Sequence, residues 1–223
     1  MAEEIVDSYP ESNINSNSTQ KRNHPSEASS SEASSEGQTF TSSKIIKITS
    51  AKFSLKKVGS PTGNAHAVLY AMTGTYGNNG KPTGSPLATS DNFDVSTLTT
   101  SLQLIIFTFT GAQQYEMSAS FYCIQIENPE TGTIDDSNYL AVGWDSSSPS
   151  HDGNRCNWWN GAWSSNSSID TCFYVYGEVA AVGFTRKIKI SGTFQDKPIK
   201  EKKAGTFVDK PIKIKVGGTF QDA

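Results

Sequence analysis

Between residues 44 and 178, hydrophobic and polar residues alternate with a period of two. Such alternation predicts β-strands with one buried face and one solvated face. The hydrophobic members of these runs are Ile46, Ile48, Phe53 and Leu55; Val68, Tyr70 and Met72; Ile105, Phe107 and Phe109; and Tyr122, Ile124 and Ile126.

Turn-forming residues separate the predicted strands. Gly, Pro, Asn and Thr are concentrated at residues 59–64, 74–86 and 128–132. No long segment shows the 3.6-residue period of a helix. The pattern therefore predicts an all-β fold, an antiparallel β-sandwich or jelly roll, followed by a short repetitive β-strand tail.

A Ser-rich, low-complexity segment occupies about residues 11–43. It contains few bulky residues to bury, so we expect it to be mobile in isolation. Residues 4–9 before it have the composition of a short strand. We therefore expect the segment to be an insertion within a first domain of residues 1–181.

The second predicted unit, residues 182–223, is Lys-rich and has a 13-residue repeat that begins at Gly192, Gly205 and Gly218. The repeat predicts three strands with corners at Asp-Lys-Pro, and Ile188, Ile190 and Phe194 on one face. Three such strands are too few for a core of their own, so they need a partner. That partner is either the chain's own sandwich or another copy, which would give a homo-oligomer or polymer. The predicted assembly interface consists of Ile188, Ile190, Phe194, Phe207, Ile212, Ile214, Val216 and Phe220.

The net charge of −3 conceals a split between these two parts. Residues 1–185 contain 9 Lys and Arg against 18 Asp and Glu, whereas residues 186–223 contain 10 against 4. A basic tail suits an acidic surface, including the body of a neighbouring copy, or nucleic acid. Because its lysines alternate with Ile and Phe, as on a solvated strand face, we expect no nucleic-acid partner.

Catalytic motifs are missing from the sequence. None of the common protease, hydrolase or nucleotide-binding patterns occurs, and His24, His66 and His151 are the only histidines. The loop-rich stretch 131–160 contains Asp135, Asp136, Asp145 and Asp152. These carboxylates leave a glycosidase pair or a structural calcium open, but turns are their commoner use. We expect no enzyme, no metal ligand and no cofactor.

All four tryptophans lie within 20 residues of one another, among Asn, Ser and Gly. Flat rings beside amides suit stacking on sugars, which predicts a glycan site. Alternatively, Trp144 and one other Trp fill the core, and residues 157–161 form a hairpin tip or a subunit contact. The candidate glycan-binding residues are Trp144, Trp158, Trp159, Trp163, Asn157 and Asn160.

Over residues 1–179 the chain resembles the choice-of-anchor R type of β-sandwich domain. The resemblance is carried by residues 48–64 (ITSAKFSLKKVGSPTGN), 68–71 (VLYA), 87–90 (LATS), 107–109 (FTF) and 173–177 (FYVYG). It implies a jelly-roll-like surface or extracellular module without established catalytic residues. The Ser-rich insertion and the tail depart from the family pattern.

Residues 1–7 are acidic and lack the basic and apolar regions of a secretory signal, so we expect none there; no apolar run of about 20 residues would span a membrane. Its three cysteines lack metal-type spacing, so we expect buried thiols. We expect a non-enzymatic structural or assembly protein of an extracellular or virion surface: a capsid decoration, fibre or filament subunit. The alternative is a surface module that binds glycans through the Trp-rich loop, and a secreted hydrolase ranks last.

Overall fold

The computed structural model describes residues 3–24 and 33–179, and beyond them the backbone of six strands between residues 185 and 222. Three 3₁₀ helices, Glu11–Asn13, Val95–Thr97 and Gly111–Gln113, are the helices among these residues. The strands of the first 179 residues are β1 (Glu3–Tyr9), β2 (Ser16–Asn17), β3 (Ala33–Ser42), β4 (Ile46–Val58), β5 (Asn64–Thr73), β6 (Lys81–Thr89), β7 (Phe93–Asp94), β8 (Gln103–Thr108), β9 (Glu116–Met117), β10 (Ser120–Glu127), β11 (Tyr139–Asp145), β12 (Arg155–Trp159), β13 (Ala162–Asn166), β14 (Asp170–Thr171) and β15 (Phe173–Val179).

Two antiparallel sheets pack as a sandwich, which confirms the predicted fold class. The first sheet has the order β1-β15-β4-β11-β14, with β2 paired to β11 and with β8 and β9 paired to β4. The second has the order β13-β12-β3-β10-β5-β6, with β7 paired to β5. Most paired strands are distant from each other in sequence. The loop-rich stretch 131–160 therefore lies beside the N-terminal segment in the sandwich.

The main core lies between the two sheets. It contains large side chains that are fully or almost fully buried, each of which contributes about 1.5–3 kcal/mol on removal from water. Phe53, Phe107 and Phe173 come from the first sheet, and Phe40, Leu69 and Ile124 come from the second.

The central strands of the second sheet are largely buried on both faces, which differs from the prediction of one wet face. Val68 and Tyr70 of β5 alternate with core residues, yet they are also buried, in a second cluster with Cys123 and Cys156. The strands β6 and β13, at opposite ends of this sheet, come into contact with each other. The sheet therefore curls over its outer face, and this second cluster fills the concave side.

The Ser-rich segment is not an insertion throughout, and the prediction is wrong for residues 33–42. Residues 33–42 form β3, which lies between β10 and β12 and is almost entirely buried. Its polar side chains have partners in the interior: Ser35 bonds to Gln125 at 3.0 Å, and Gln38 to Asp170 at 2.7 Å. Hydrogen bonds, rather than apolar area, let this strand be buried.

The prediction of a turn over residues 74–86 is also wrong for its second half. The turn contains Gly74 and Gly77, both at positive φ, but β6 starts at Lys81 and includes Pro82 and Pro86. In the order of the second sheet, β6 is an end strand that pairs with β5. Proline is tolerated there because its missing N–H need not face a neighbour.

Met1–Ala180 is the first compact unit of the chain, and the tail, Ala181–Ala223, is the second. Its strands pair as three antiparallel hairpins instead of three single strands. Two residues, the second a glycine, separate the strands within each pair, a composition typical of short hairpin loops. The strands are β16 (Thr185–Ile190), β17 (Thr193–Pro198), β18 (Lys200–Lys203), β19 (Thr206–Asp209), β20 (Lys213–Val216) and β21 (Thr219–Asp222).

The register of the hairpins differs from the predicted shared face. Phe194 is paired with Lys189, between Ile188 and Ile190 in sequence, and so takes a position on the other face from both isoleucines. The same register repeats in each hairpin, with Phe207 opposite Lys202 and Phe220 opposite Lys215. Ile212 lies outside the described residues.

Candidate functional site

The Trp-rich segment forms the hairpin β12–β13, as one of the two interpretations predicted. Asn160 and Gly161 connect the strands with φ values of 52° and 74°, the conformation of a two-residue type I′ loop. Side chains on a strand alternate between faces, so Trp158 and Trp159 point in opposite directions. This alternation divides the four tryptophans into two groups.

An open pocket of about 340 Å³ lies between this hairpin and β11 of the first sheet. We call it the Trp159 pocket. Trp159 is 42% exposed on its wall, and Trp144 of β11 lies on the wall that the first sheet provides. The lining residues are Ser18, Thr19, Ala33, Trp144, Arg155, Asn157, Trp159, Ser164, Ser165 and Asn166.

Arg155 is held rigidly at this pocket. Its guanidinium carbon lies 4.6 Å from the centre of the Trp144 ring, a cation–π contact. Its Nε and Nη2 donate to the two carboxylate oxygens of Glu36 at 2.6 and 2.7 Å, and Glu36 is fully buried. Neither residue is among those predicted from the sequence. A signal was present, because Arg155 is the only Lys or Arg between residues 82 and 185.

Several polar groups of the pocket have no partner among the described residues. Asn157 is only 5% exposed, and its amide makes no hydrogen bond there. That amide is not among the polar atoms sealed from solvent, so its remaining access is through the pocket that it lines. The hydroxyl of Ser18 is buried and unpaired as well. An exposed indole beside unpaired amides suits a ring that has both an apolar face and hydroxyl groups.

The other predicted glycan-binding residues lie elsewhere. Trp158 and Trp163 are paired across the hairpin, with ring centres 5.1 Å apart, on the face opposite Trp159. Trp163 also packs edge-on to Tyr70 at 5.4 Å, as part of the second cluster. Asn160 is in the hairpin loop and does not line the pocket. Trp144, Trp159 and Asn157 are therefore the candidates that the fold brings together.

The candidate aspartates are not gathered into one site. Asp135 and Asp145 each accept a hydrogen bond from the backbone N–H two residues further on, at 2.8 and 2.9 Å. Asp136 pairs with Arg22 at 3.3 Å, and Asp152 lines a separate depression. Over the described ranges, no group of three or more His, Cys, Asp or Glu is arranged to hold a metal ion. Asp135 thus caps its own turn, and Asp145 also accepts the Tyr9 hydroxyl at 2.8 Å, which connects its loop to β1.

The three histidines also lie apart, and each has a local partner. His66 contacts the carbonyl of Ser90 at 3.2 Å, and His151 contacts Asp7 at 3.2 Å. His24 is buried and lies 3.3 Å from the Ser34 hydroxyl.

His24 also belongs to a buried cluster of polar side chains. Its Nε2 lies 3.5 Å from Glu127, which accepts a 2.6 Å hydrogen bond from the Tyr70 hydroxyl. Burial raises the pKa of Glu127 to about 7 and lowers the pKa of His24 to about 4. The order Ser34–His24–Glu127 has the residue types of a hydrolase triad, but Ser34 is 1% exposed. The Ser34 hydroxyl is therefore shielded from solvent in this structure.

The three cysteines are buried free thiols, as expected. Within the part of the chain that the structure describes, no helix has the length and apolarity to cross a membrane. In comparisons with known proteins, no family model, no curated protein and no solved structure matches the chain.

Proposed function

We propose that the protein is a non-enzymatic surface module that binds a glycan in the Trp159 pocket. The observation that carries this proposal is the exposed Trp159 indole beside the unpaired, almost fully buried amide of Asn157. A sugar ring would place its C–H face on the indole and its hydroxyls against the amide and the neighbouring serines. Arg155, fixed by Glu36, would give the pocket a preformed wall, which reduces the entropy lost on binding. The activity requires no cofactor and no catalytic step.

Replacement of the exposed indole tests this proposal. We expect Trp159→Ala to lower glycan affinity by about tenfold or more, because the stacking surface is lost. We also expect the melting temperature to change little, because Trp159 is outside the core. Migration in gels that contain xylan, hydroxyethylcellulose, polygalacturonate or carrageenan measures the affinity.

Phe121→Ala is the matched control. Phe121 is 47% exposed and stacks on Tyr76, away from the pocket. The Phe121→Ala variant removes an aromatic ring that is about as exposed as Trp159, so the glycan should still retain the protein in the gel. Equal retention by Trp159→Ala and the native protein would overturn the proposal, as would a large fall in melting temperature for Trp159→Ala.

A second candidate function is self-assembly through the tail, within an extracellular or virion surface structure. The three hairpins support it because they repeat one register at every 13 residues, including a Lys opposite an Asp in each. Each is a sheet of two strands, which is marginal alone in water, so burial against further copies would stabilise it. The Lys–Asp pairs are Lys187–Asp196, Lys200–Asp209 and Lys213–Asp222.

A further inference from the structure

We infer that the Trp159 pocket selects glycans that carry an anionic oxygen group, a carboxylate or a sulfate ester. This inference rests on the proposed glycan-binding function and specifies its ligand. Its starting point is the charge of the lining. Among the described residues of the lining, Arg155 is the only charged one, and none is Asp or Glu.

Arg155 has one nitrogen left for a ligand. Nε and Nη2 are occupied by Glu36, whereas Nη1 donates to no described residue. Nη1 is also not among the unpaired polar atoms that are sealed from solvent, so it is accessible. The stacking on Trp144 and the double hydrogen bond to Glu36 fix where this N–H group points. The pocket therefore has a preformed cationic donor.

The neighbouring amides add further donors. The Asn166 side-chain oxygen already accepts the N–H of Ser168 at 2.8 Å, which leaves the NH₂ group of Asn166 for a ligand. Asn157 contributes a second unpaired amide. The described residues of the lining are rich in N–H donors and include no carboxylate, so they match a ligand group that accepts hydrogen bonds and donates none. Carboxylates and sulfate esters have this property, and their hydrogen bonds to a guanidinium are stronger than those of neutral hydroxyls.

Long-range attraction does not account for this preference. Glu36 balances the charge of Arg155, and residues 1–185 carry twice as many acidic as basic residues. An anionic polymer is thus not drawn to the sandwich from a distance. The basic tail attracts it equally in every variant, so the pocket variants isolate the contribution of the pocket. Selection depends on the direct hydrogen bonds in the pocket, which salt screens only weakly over such short distances.

Paired polysaccharides test the inference with the full-length protein. Polygalacturonate is compared with its fully methyl-esterified form, which keeps the sugar chain and loses the charge. Carrageenan is compared with agarose to test sulfate esters. We expect at least about tenfold tighter binding, measured by calorimetry, to the charged member of one pair, in keeping with a charge-assisted hydrogen bond. Which pair responds distinguishes a carboxylate from a sulfate ligand.

Two serine variants make the test specific to the pocket. Ser164→Glu places a carboxylate in the lining and should weaken binding of the charged polysaccharide by about tenfold or more. Ser167→Glu makes the same charge change on an exposed residue outside the lining and should leave binding unchanged. The double variant Glu36→Gln/Arg155→Gln, which leaves no unpaired buried charge, should bind both members of a pair equally.

The outcomes separate the inference from the proposed function. Preference for a charged polysaccharide that Ser164→Glu removes and Ser167→Glu retains supports the inference. Trp159-dependent binding without preference for charge overturns the inference and leaves the glycan-binding function standing. If none of the four polysaccharides nor xylan nor hydroxyethylcellulose binds, both are overturned.

Discussion

Glu36 and Arg155 depend on each other, because each would be costly to leave alone in the interior. Glu36 is fully buried, and the Arg155 side chain is 13% exposed. Their mutual attraction offsets the cost of removing both charges from water, so the pair itself adds little stability. Its contribution is to hold a cation in one place on a wall that is otherwise polar and neutral.

Breaking the pair should therefore destabilise the protein more than replacing it. We expect Arg155→Gln to lower the free energy of unfolding by about 3–5 kcal/mol, because it leaves a buried carboxylate unpaired. The double variant Glu36→Gln/Arg155→Gln should recover most of that loss. Urea denaturation of the three proteins checks both values. A double variant as unstable as Arg155→Gln would show that the pair is a main source of stability.

His24 and Glu127 have opposite pKa shifts, which makes their effects on stability cancel. Glu127 has a pKa of about 7 in the folded protein, above its ordinary value. Its contribution to the free energy of unfolding is therefore lost as pH rises towards 7. His24 has a pKa of about 4, below its ordinary value, so its contribution is lost as pH falls towards 4. Between about pH 4.5 and 6.5 an unfolded His⁺–Glu⁻ pair becomes a neutral pair on folding, with no net change in bound protons.

Removing one partner should expose the other's pH dependence. In Glu127→Gln we expect the free energy of unfolding to fall by about 2 kcal/mol between pH 6.5 and pH 4.5, relative to the native protein, since only His24 remains. His24→Gln should show the opposite slope over this range. Denaturant titrations at several pH values measure both. Parallel pH profiles for the two variants would contradict the neutral pair.

At the level of elements, two glycines allow the cost of a left-handed backbone to be measured apart from the cost of a steric clash. Gly161 in the β12–β13 loop and Gly77 in the turn before β6 both have a φ of 74°. A Cβ atom at Gly161 would meet nothing within 4 Å, whereas one at Gly77 would lie 2.4 Å from the carbonyl oxygen of Asp152. The left-handed conformation alone costs a non-glycine residue about 1–2 kcal/mol.

We expect Gly161→Ala to cost about 1 kcal/mol and Gly77→Ala to cost distinctly more, about 3 kcal/mol, because backbone must also move. Thermal unfolding of both variants gives the comparison. Equal costs would mean that the turn before β6 relaxes without loss, and so is not fixed by its contact with Asp152.

Period-two patterning was sufficient to predict the strands whose alternate residues are apolar. β4 and β8 are examples. The hairpin with the Asn160-Gly161 loop was only one of the alternatives for the Trp-rich stretch. β3 could not be predicted, because it is buried through hydrogen bonds to residues about 90–130 positions away, such as Gln125 and Asp170. Local sequence does not contain those partners. The position of Arg155 in the pocket likewise depends on Glu36, 119 residues distant.

The whole molecule combines an acidic sandwich with a basic repetitive tail. The two units differ in what stabilises them. The sandwich has two buried clusters of its own. The tail hairpins have only two strands each, and in each of them a Phe is paired with a Lys. If the tail joins copies, its removal should affect association and leave the sandwich folded.

Sedimentation velocity of the full chain and of a version that ends at Ala181 tests this. We expect the full chain to form oligomers or polymers and the shorter chain to be a folded monomer. The double variant Phe207→Asp/Phe220→Asp should also be monomeric. Both new aspartates lie opposite lysines, so the hairpins gain a favourable cross-strand pair while they lose apolar surface. A loss of assembly in this double variant would therefore not result from weaker hairpins.

The control is Gln195→Asp/Gln221→Asp, which makes the same charge change in the tail and removes no aromatic ring. These glutamines lie opposite Ile188 and Ile214. If this control assembles and the Phe variant does not, apolar burial by the phenylalanines drives association. If both dissociate, the phenylalanines alone do not drive association: either the charge of the tail does, through the acidic residues of neighbouring sandwiches, or the apolar positions opposite these glutamines do. A monomeric full chain would rule out assembly by the tail, and the sandwich would then act as a single binding module.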